Sequence, residues 1–424
     1  MSANAAAAGA APGLAITPRT RRLLLAMLPV VLLATARVVT HADGLTAAGT
    51  FAAAIGLAAP VAVTGLGGLV SERSGIVNIG LEGMMILGTV FAGWFGWHGG
   101  PWAALLGGVV GGTLGGALHA TATIKFGVDH TVSGVAINLM ARGIARYLSS
   151  VLFAGKGGDG SLTSSPSMTG MNHFTLPILS GGRIGSWQTP DVLGRIESKR
   201  WFLVSDLGGI LKGLTADVAG STILLYALIP IFAYIIWRTP WGLRLRSCGE
   251  KPDAADSLGI NVHRTQWTAV LLSGALAGLG GAWLAIDVVK YQQGQTASRG
   301  FLALAAVVFA NWRPAGLVAG ALLFYFPEAV RLATFGDEPK GILLIAAIAF
   351  ALLALWSFRQ RKLTEGLVVA AAGAAVLFWF NVANKVDEKI VVTFPFVIVL
   401  LVLVFSSQRL RPPASSGQIW RKGS

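Results

Sequence analysis

The sequence predicts an all-α polytopic membrane protein, and three observations lead to this fold class. Hydrophobic residues make up 54% of the 424 residues and charged residues only 12%, about half the charged share of an ordinary soluble domain. Apolar runs of about twenty residues recur along the chain, and a helix of that length crosses a bilayer. The chain also contains 55 glycines, which allow helices to pack closely in membranes. A soluble enzyme and a collagen-like fibre are therefore excluded.

We mark out about twelve hydrophobic segments. The eighth is short and rich in alanine, which predicts a broken or partly inserted helix buried among its neighbours. A transmembrane domain is expected over 22–406, with tails at 1–21 and 407–424. The segments are 22–38, 46–70, 76–97, 101–122, 130–153, 220–237, 266–286, 300–312, 315–333, 341–357, 364–383 and 390–406.

The distribution of Lys and Arg predicts that both termini are cytoplasmic, because cytoplasmic loops of membrane proteins are enriched in these residues. With the N-terminus inside, most basic residues fall on the inner face. The formal charge of +14 is thus explained by topology, and no nucleic-acid partner is expected. The short outer loops receive only Lys290, Arg299, Lys340, Lys385 and Lys389.

The first segment has two interpretations. The basic cluster 19–22 precedes an apolar stretch that ends in Ala34-Thr35-Ala36, which is also typical of a cleavable signal peptide. We favour a retained first span. The long loop 154–219 is rich in Gly and Ser and contains Trp187, Trp201 and Phe202, so a small folded cap is expected outside.

Glycines at four-residue spacing indicate close helix packing, which we assign to contacts within one subunit. The single cysteine, Cys248, excludes an internal disulfide, and the six His show no metal-ligand spacing. No metal site is expected. The spaced glycines are Gly107, Gly108, Gly111, Gly112, Gly115 and Gly116 in the fourth segment, with Gly274 and Gly278 in the seventh.

Asn78 and Glu82 are four residues apart, so both are expected on one face of a helix inside the membrane. A carboxylate near the bilayer centre costs about 2.5–3.5 kcal/mol on insertion scales, so Glu82 is a functional-site candidate. A purely structural Glu82 that hydrogen-bonds the neighbouring backbone remains an alternative. Glu72 and Arg73 are expected to pair on the solvated face.

The loop 238–264 predicts a short exposed helix. Pro252 suits a first helical position, Asp253 complements the positive N-terminal end, and Gly259 suits the C-terminal cap. Small apolar knobs on such a helix fit the groove of a soluble partner, although an ordinary solvated loop helix fits equally well. One face presents Ala254, Ala255 and Leu258, and the other presents Asp253 and Asp256.

Several stretches resemble one family: residues 71–85, 249–262 with 272–281, and 300–305 with 311–314. They look like bacterial ABC importer permeases for branched-chain amino acids, simple sugars and nucleosides. The amino-acid sequence of 71–85 is most similar to that of the nucleoside-type branch, which works with basic membrane protein-type receptors. Two features depart from the family: residues 340–385 look like an extra pair of spans, and the 154–219 loop is long.

The resemblance implies a multi-pass permease of the bacterial inner membrane, surrounded by lipid, that forms a translocation pathway for nucleosides or a related small polar solute. It implies cytoplasmic ABC ATPase subunits, a second permease subunit, identical or related, and an extracytoplasmic solute-binding receptor. No P-loop motif occurs in the sequence. The chain is therefore expected to be no enzyme and to bind no cofactor, with ATP used by the partner subunit.

The resemblance also implies residue roles. The coupling helix to the ATPase would comprise Glu250, Pro252, Asp253, Ala254, Ala255, Asp256, Leu258 and Gly259. Asn78, Glu82 and Asn138 are candidates for polar groups that line or shape the pathway. A sugar or branched-chain amino acid permease, a proton-coupled secondary transporter that uses Glu82, and a membrane-embedded transferase remain alternatives.

Overall fold

The computed structural model of the protein describes residues 18–156, 163–333, 338–382, 393–394, 397 and 410–421. This part of the chain is mostly helical, with a few two-residue strands in the long external loop. The helices are α1 (Pro18–Thr40), α2 (Ala48–Arg73), α3 (Leu81–Ala120), α4 (His130–Leu152), α5 (Val192–Ser198), α6 (Val204–Thr215), α7 (Gly220–Arg238), α8 (Pro240–Glu250), α9 (Pro252–Ser257), α10 (Val262–Asp287), α11 (Arg299–Phe309), α12 (Pro314–Ala333), α13 (Glu338–Arg359) and α14 (Leu363–Val382). The strands are β1 (His173–Phe174), β2 (Arg183–Ile184), β3 (Trp187–Gln188) and β4 (Val218–Ala219).

Seven helices of the described chain are long and apolar enough to cross a membrane: α2, α3, α7, α10, α12, α13 and α14. The apolar stretch of α1, Met27–Thr40, and α11 are shorter. A mostly helical protein with several membrane-spanning helices is thus confirmed. The count of about twelve spans and the cytoplasmic termini stay predictions, and segment 390–406 lies almost wholly outside the described residues.

Helix α3 contains the third and fourth predicted segments, with a break between them at Gly100. This residue has φ +73° and ψ −168°, in the half of φ that favours glycine. Pro101 follows and has no N–H to continue the helical hydrogen bonding. The chain therefore reverses here, and α3 consists of a first arm over 81–99 and a second arm over 101–120.

Glycines of α3 and α10 form a seam in which the two backbones touch. A Cβ added at Gly112 would overlap the carbonyl oxygen of Gly274, and one added at Gly278 would overlap that of Gly108. In a membrane, close van der Waals packing of this kind associates helices. The prediction that these glycines pack helices within one subunit is confirmed.

Helix α2 is the centre of the bundle, because 83% of its apolar 18-residue stretch is buried inside the protein. It packs against α10, α12 and α11, around a core that includes Leu66, Leu276 and Phe324. The end of α2 near Ala48 therefore lies beside α6, in the long loop before α7, and the end at Arg73 lies beside α8, in the loop that also contains α9.

The long loop before α7 is folded over residues 163–219. Strand β1 pairs with β4 and β2 with β3, both antiparallel, and α5 packs against α6. The loop thus has a folded structure, as expected, although Trp187, Trp201 and Phe202 are 60%, 61% and 50% exposed. We call residues 163–219 the cap.

Asp206 of α6 fastens the cap to α1. Its carboxylate accepts hydrogen bonds from Arg37 Nε at 2.6 Å, the Thr46 hydroxyl at 2.7 Å and the Leu203 N–H at 2.9 Å. Asp206 is 1% exposed and Arg37 is 7% exposed, and a buried charge is tolerated when it is paired in this way.

Helices α13 and α14 lie where the extra pair of spans is predicted. They pack mainly against each other, and α13 also contacts α1 and α12. Only 33% of the apolar 18-residue stretch of α13, and 17% of that of α14, is buried inside the protein. The pair is therefore peripheral to the bundle that surrounds α2.

Candidate functional site

The loop between α2 and α3 departs from the predicted helix. Residues 74–80 form turns, and α3 begins only at Leu81. Gly75 has φ +99°, which interrupts the helical backbone. Asn78 and Glu82 therefore do not share a helix face, and that expectation is wrong.

Two buried asparagine amides hold this loop in place. Asn78 Nδ2 donates to the Ser273 hydroxyl at 2.8 Å, and Asn138 Nδ2 donates to the Ile79 carbonyl at 2.9 Å. Asn138 Oδ1 accepts the Gly83 N–H at 2.7 Å. Asn78 is 0% exposed and Asn138 is 5% exposed. Both amides are thus engaged with the backbone and side chains around the start of α3, and neither faces open space.

Glu82 joins the first turns of two helices. It lies in the first turn of α3, is 2% exposed, and accepts hydrogen bonds on both oxygens. The Thr296 hydroxyl donates to Oε1 at 2.7 Å, and the Gly300 N–H, in the first turn of α11, donates to Oε2 at 2.7 Å. Unpaired N–H groups at helix N-termini attract negative charge. The carboxylate is therefore a structural link between α3 and α11.

Helix α11 corresponds to the eighth predicted segment and is short, as predicted. Its 11 residues span about 16 Å, roughly half of the hydrocarbon thickness. Gly300 lies beside Glu82, whereas Tyr291 packs against Gly93. Because Glu82 and Gly93 are 93 − 82 = 11 residues apart on α3, the chain before α11 descends about 16 Å along that helix. We call residues 288–298 the re-entrant segment.

The backbone of the re-entrant segment is paired with the beginning of the cap. The Ser165 N–H donates to the Tyr291 carbonyl at 3.1 Å, and the Gln293 N–H donates to the Thr163 carbonyl at 2.8 Å. Positive φ values are uncommon for residues other than glycine, and they cluster at functional sites. In this segment they occur at Val289, Ala297 and Ser298, with φ of 52°, 44° and 66°.

The re-entrant segment presents polar groups that the sequence analysis missed. Residues 292–294 are exposed. Arg299 follows the segment; its Nη1 donates to the Gln295 carbonyl at 3.0 Å, and its guanidinium lies 5.5 Å from the centre of the Tyr325 ring. The placement of Arg299 in an outer loop is wrong, because the chain turns into the bundle before it. A run of polar residues next to a helix too short to cross the membrane was the sequence signal that could have indicated this segment.

The inner end of α2 is joined to the turn after α11. The Trp312 indole N–H donates to the Glu72 carboxylate, and Arg73 Nη2 donates to the Trp312 carbonyl at 2.9 Å. The Arg73 guanidinium also lies 5.5 Å from the Trp237 ring and 3.8 Å from the Glu250 carboxylate. Glu72 is 6% exposed, so the expected Glu72–Arg73 pair on a solvated face is wrong.

The loop 238–264 contains α8 and, after it, the predicted short helix α9. Pro252 is the first residue of α9, and Gly259 follows its C-terminus with φ +80°. The Ile260 N–H donates to the Ala255 carbonyl at 3.0 Å and the Gly259 N–H to the Asp256 carbonyl at 2.9 Å. These are the two hydrogen bonds of a Schellman cap, so both predicted ends of the helix are confirmed.

The exposed face of α9 differs from the prediction at Ala255. This residue is 1% exposed and packs against Cys248 and Val262, so the expectation that it faces a partner is wrong. Leu258 is 83% exposed, and Ala254 is exposed as well. Because α9 has only 6 residues, Leu258 lies beyond its last turn and projects away from the surface on which Ala255 packs.

Across the described residues, no group of three or more His, Cys, Asp and Glu could hold a metal ion. The site therefore consists of a half-length helix, a re-entrant segment and a protruding short helix.

Residues 50–354 match the family described as the branched-chain amino acid transport system / permease component. This stretch runs from α2 into α13 and contains the re-entrant segment and α9. The chain belongs to this permease family. The permease is thus a multi-pass membrane protein and a subunit of an ABC importer, a type of subunit that is not itself an enzyme and that works with ATPase and substrate-binding partners.

Curated relatives match most of the permease. It is 37% identical over 317 residues to the guanosine ABC transporter permease protein NupQ of Bacillus subtilis (strain 168), covering 72% of this chain and 90% of the relative. It is 37% identical over 292 residues to the nucleoside ABC transporter permease protein NupC of Lactococcus lactis subsp. cremoris (strain MG1363), covering 67% and 81%. It is 30% identical over 290 residues to the putative glucose ABC transporter permease protein TsgC13 of Haloferax volcanii, covering 68% and 78%. No solved structure matches the chain.

Proposed function

We propose that this permease forms part of a translocation pathway for nucleosides. Two relatives named for guanosine or nucleosides are each 37% identical to it, over 317 and 292 residues. The relative named for glucose is 30% identical over 290 residues. Over similar lengths, the higher identity favours a nucleoside over a sugar.

The re-entrant segment is the main observation that supports a translocation pathway through this subunit. Irregular backbone at membrane depth occurs where it is buried in protein or lines a water-filled cavity, and broken helices of this kind form the solute sites of many transporters. Gln292 and Gln293 are exposed here, and each amide offers both donors and an acceptor for ribose hydroxyls and base edges. Asn78, Glu82 and Asn138 shape this pathway by holding α3 and α11 in place, and they do not line it.

A second permease subunit, identical or related, closes the pathway. The support for it is that the polar side chains of Gln292 and Gln293 are exposed on the single chain, although the segment lies within the depth of the bundle. In a lipid environment such groups require protein or water as a neighbour. A facing subunit supplies both.

Helix α9 is the coupling helix, gripped by a cytoplasmic ATPase subunit that hydrolyses ATP. The support for this role is its protrusion, with Leu258 83% exposed. Ala255 stabilises the helix from beneath. This chain binds no cofactor. The ATPase contacts comprise Glu250, Asp253, Ala254, Asp256, Leu258 and Gly259, whereas Pro252 is buried like Ala255 and starts the helix.

The permease resides in the bacterial inner membrane, with lipid around α13 and α14 and both termini in the cytoplasm. Residues 410–421 contact α8 and α9, so the C-terminal tail and the coupling helix lie on the same face. The extracytoplasmic receptor delivers solute to the opposite face, where the cap lies.

Uptake by proteoliposomes that contain the whole complex tests this function. We expect saturable, ATP-dependent uptake of labelled nucleosides that persists with a protonophore. Uptake of glucose or leucine instead would overturn the solute, and uptake that collapses with a protonophore and survives without ATP would support a proton-coupled transporter. Leu258→Asp is expected to abolish copurification of the ATPase. Leu243→Asp, on the 58% exposed Leu243 of α8, is the matched control and is expected to retain it.

A further inference from the structure

The C-terminal residues 410–421, which we call the C-terminal strap, lie across the coupling helix. The Trp420 indole N–H donates to Asp253 Oδ1 at 2.6 Å, and its ring lies 4.9 Å from the His263 ring. The Ser415 N–H donates to the Gly249 carbonyl at 2.9 Å. The strap thus contacts the end of α8, the start of α9 and the start of α10.

The strap is also attached to the elements that position Glu82. The Gly417 N–H donates to the Gly75 carbonyl at 3.0 Å, in the loop before α3. The Arg411 N–H donates to Asn311 Oδ1 at 2.8 Å, in the turn after α11. The strap therefore connects the coupling helix with the two helices whose first turns meet at the re-entrant segment.

The coupling helix depends on such contacts for its orientation. An isolated helix of 6 residues is unstable in water, because nucleation is unfavourable and few hydrogen bonds repay it. Beneath α9, Ala255 packs in a small core with Cys248 and Val262, against which Trp420 also packs. At the first turn, the contact with Asp253 comes from a residue 167 positions later in the sequence.

We propose that the C-terminal strap is a positioning element for ATP coupling. It holds α9 in the orientation that the ATPase grips, and it transmits the displacement of α9 to the loop before α3 and to the turn after α11. This inference rests on the proposed role of α9 as the coupling helix. The Glu250 carboxylate is shared between the strap, whose Ala414 N–H donates to it at 3.3 Å, and Arg73 of α2, which lies 3.8 Å away. Helix α8 also packs against α7, α10 and α2, so the bundle keeps an attachment to this loop without the strap.

The lone cysteine provides a direct readout of the strap. Cys248 is 0% exposed, and burial raises the pKa of its thiol, which disfavours the reactive thiolate. We expect maleimide to label Cys248 about tenfold faster in a chain that ends at Pro413, because local opening sets access to buried groups. A chain that ends at Arg421 keeps the strap and is expected to label at the parental rate.

Transport measurements on the whole complex test the functional part. Trp420→Phe keeps the ring beside His263 and removes the N–H that Asp253 accepts. We expect the number of nucleosides carried per ATP to fall about fivefold, as loss of one hydrogen bond to a charged group allows. Asp253→Asn retains an acceptor and is expected to be intermediate. The double variant should match Trp420→Phe, because without the indole N–H the acceptor at residue 253 has nothing to accept.

The ratio of transport to hydrolysis distinguishes positioning from folding, since a merely structural defect lowers the amount of active protein and leaves that ratio unchanged. Parental ratios in Trp420→Phe and in the chain ending at Pro413, with Cys248 still protected, would overturn the role of the strap. Failure of the proposed function has a different signature: the parental complex would show no ATP-dependent nucleoside uptake, and Leu258→Asp would leave ATPase copurification intact.

Discussion

The carboxylate of Glu82 and the backbone N–H of Gly300 form a 2.7 Å hydrogen bond although the two residues are 218 positions apart in the sequence. A Cβ at residue 300 would overlap the backbone of Glu82, so the contact requires glycine. The first turns of α3 and α11 are thereby fixed to each other at the base of the re-entrant segment. Glu82 therefore sets the relative position of these two helices.

Replacement of Glu82 is expected to disrupt this junction. Glu82→Leu leaves the Gly300 N–H and the Thr296 hydroxyl without acceptors, and each unsatisfied buried group costs about 1–3 kcal/mol. We expect a lower unfolding midpoint and loss of nucleoside uptake. Glu82→Gln keeps one carbonyl acceptor and should be intermediate, and Thr296→Val should show a smaller effect. Parental uptake by Glu82→Leu would contradict this role.

The glycine seam between α3 and α10 makes a second prediction. Gly278→Ala places a methyl group against the Gly108 carbonyl, and overpacking of this kind costs about 1–3 kcal/mol or more. We expect lower thermal stability in detergent. Gly143→Ala is the matched control, because a Cβ at Gly143 meets nothing within 4 Å and alanine favours a helix by about 1 kcal/mol. Equal stability of the two variants would argue against the seam.

The buried pair of Arg37 and Asp206 is expected to hold the cap on the bundle. Asp206→Ala leaves a buried guanidinium without its partner, and removal of one member of a buried pair costs about 3–5 kcal/mol. Limited proteolysis should then cleave the cap much faster than in the parent. Asp217→Asn, at a side chain that is 81% exposed, should leave the cleavage rate unchanged, because asparagine tolerates the φ of 53° at this position. Slow cleavage of both variants would contradict the prediction.

The cap should also lose stability in acid through Asp191. Burial alone would raise the pKa of Asp191, but hydrogen bonds from Lys212 Nζ and the Gly194 N–H, both at 2.7 Å, lower it below its usual value. A carboxyl with a lowered folded-state pKa stabilises the fold above its unfolded pKa of about 3.9, and this contribution is lost as the pH falls through the folded value.

Proteolysis of the cap by an acid protease measures this dependence. Cleavage should accelerate as the pH falls from about 5 towards about 3, across the range in which an Asp carboxylate titrates. Asp191→Asn removes the titrating group and should weaken the acceleration, whereas Asp217→Asn should preserve it. An identical pH profile for Asp191→Asn and the parent would exclude this contribution.

The sequence predicted features that local signals determine. Pro252 and Gly259 set the ends of α9 by their own backbone preferences, and the spacing of Gly274 and Gly278 marks a packing face. The short eighth segment was recognisable from its length. Each of these signals lies within a few residues of the structure that it produces.

Features set by distant contacts could not be predicted in this way. Ala255 faces inward because Cys248 and Val262 lie beneath it, and a six-residue pattern does not contain that information. Arg299 lies within the bundle because the preceding segment pairs with the cap, which a charge-based topology rule does not include. The helix break before Asn78 depends on Gly75, a residue type that tolerates both helical and left-handed backbone.

The peripheral position of α13 and α14 has a consequence for protein engineering. This helical hairpin contacts the rest of the protein mainly through α13, which packs against α1 and α12. It therefore adds little to the packing of the central bundle. Removal or replacement of the hairpin is therefore expected to leave the packing around α2 unchanged, which makes it a suitable place to fuse a tag or a tether.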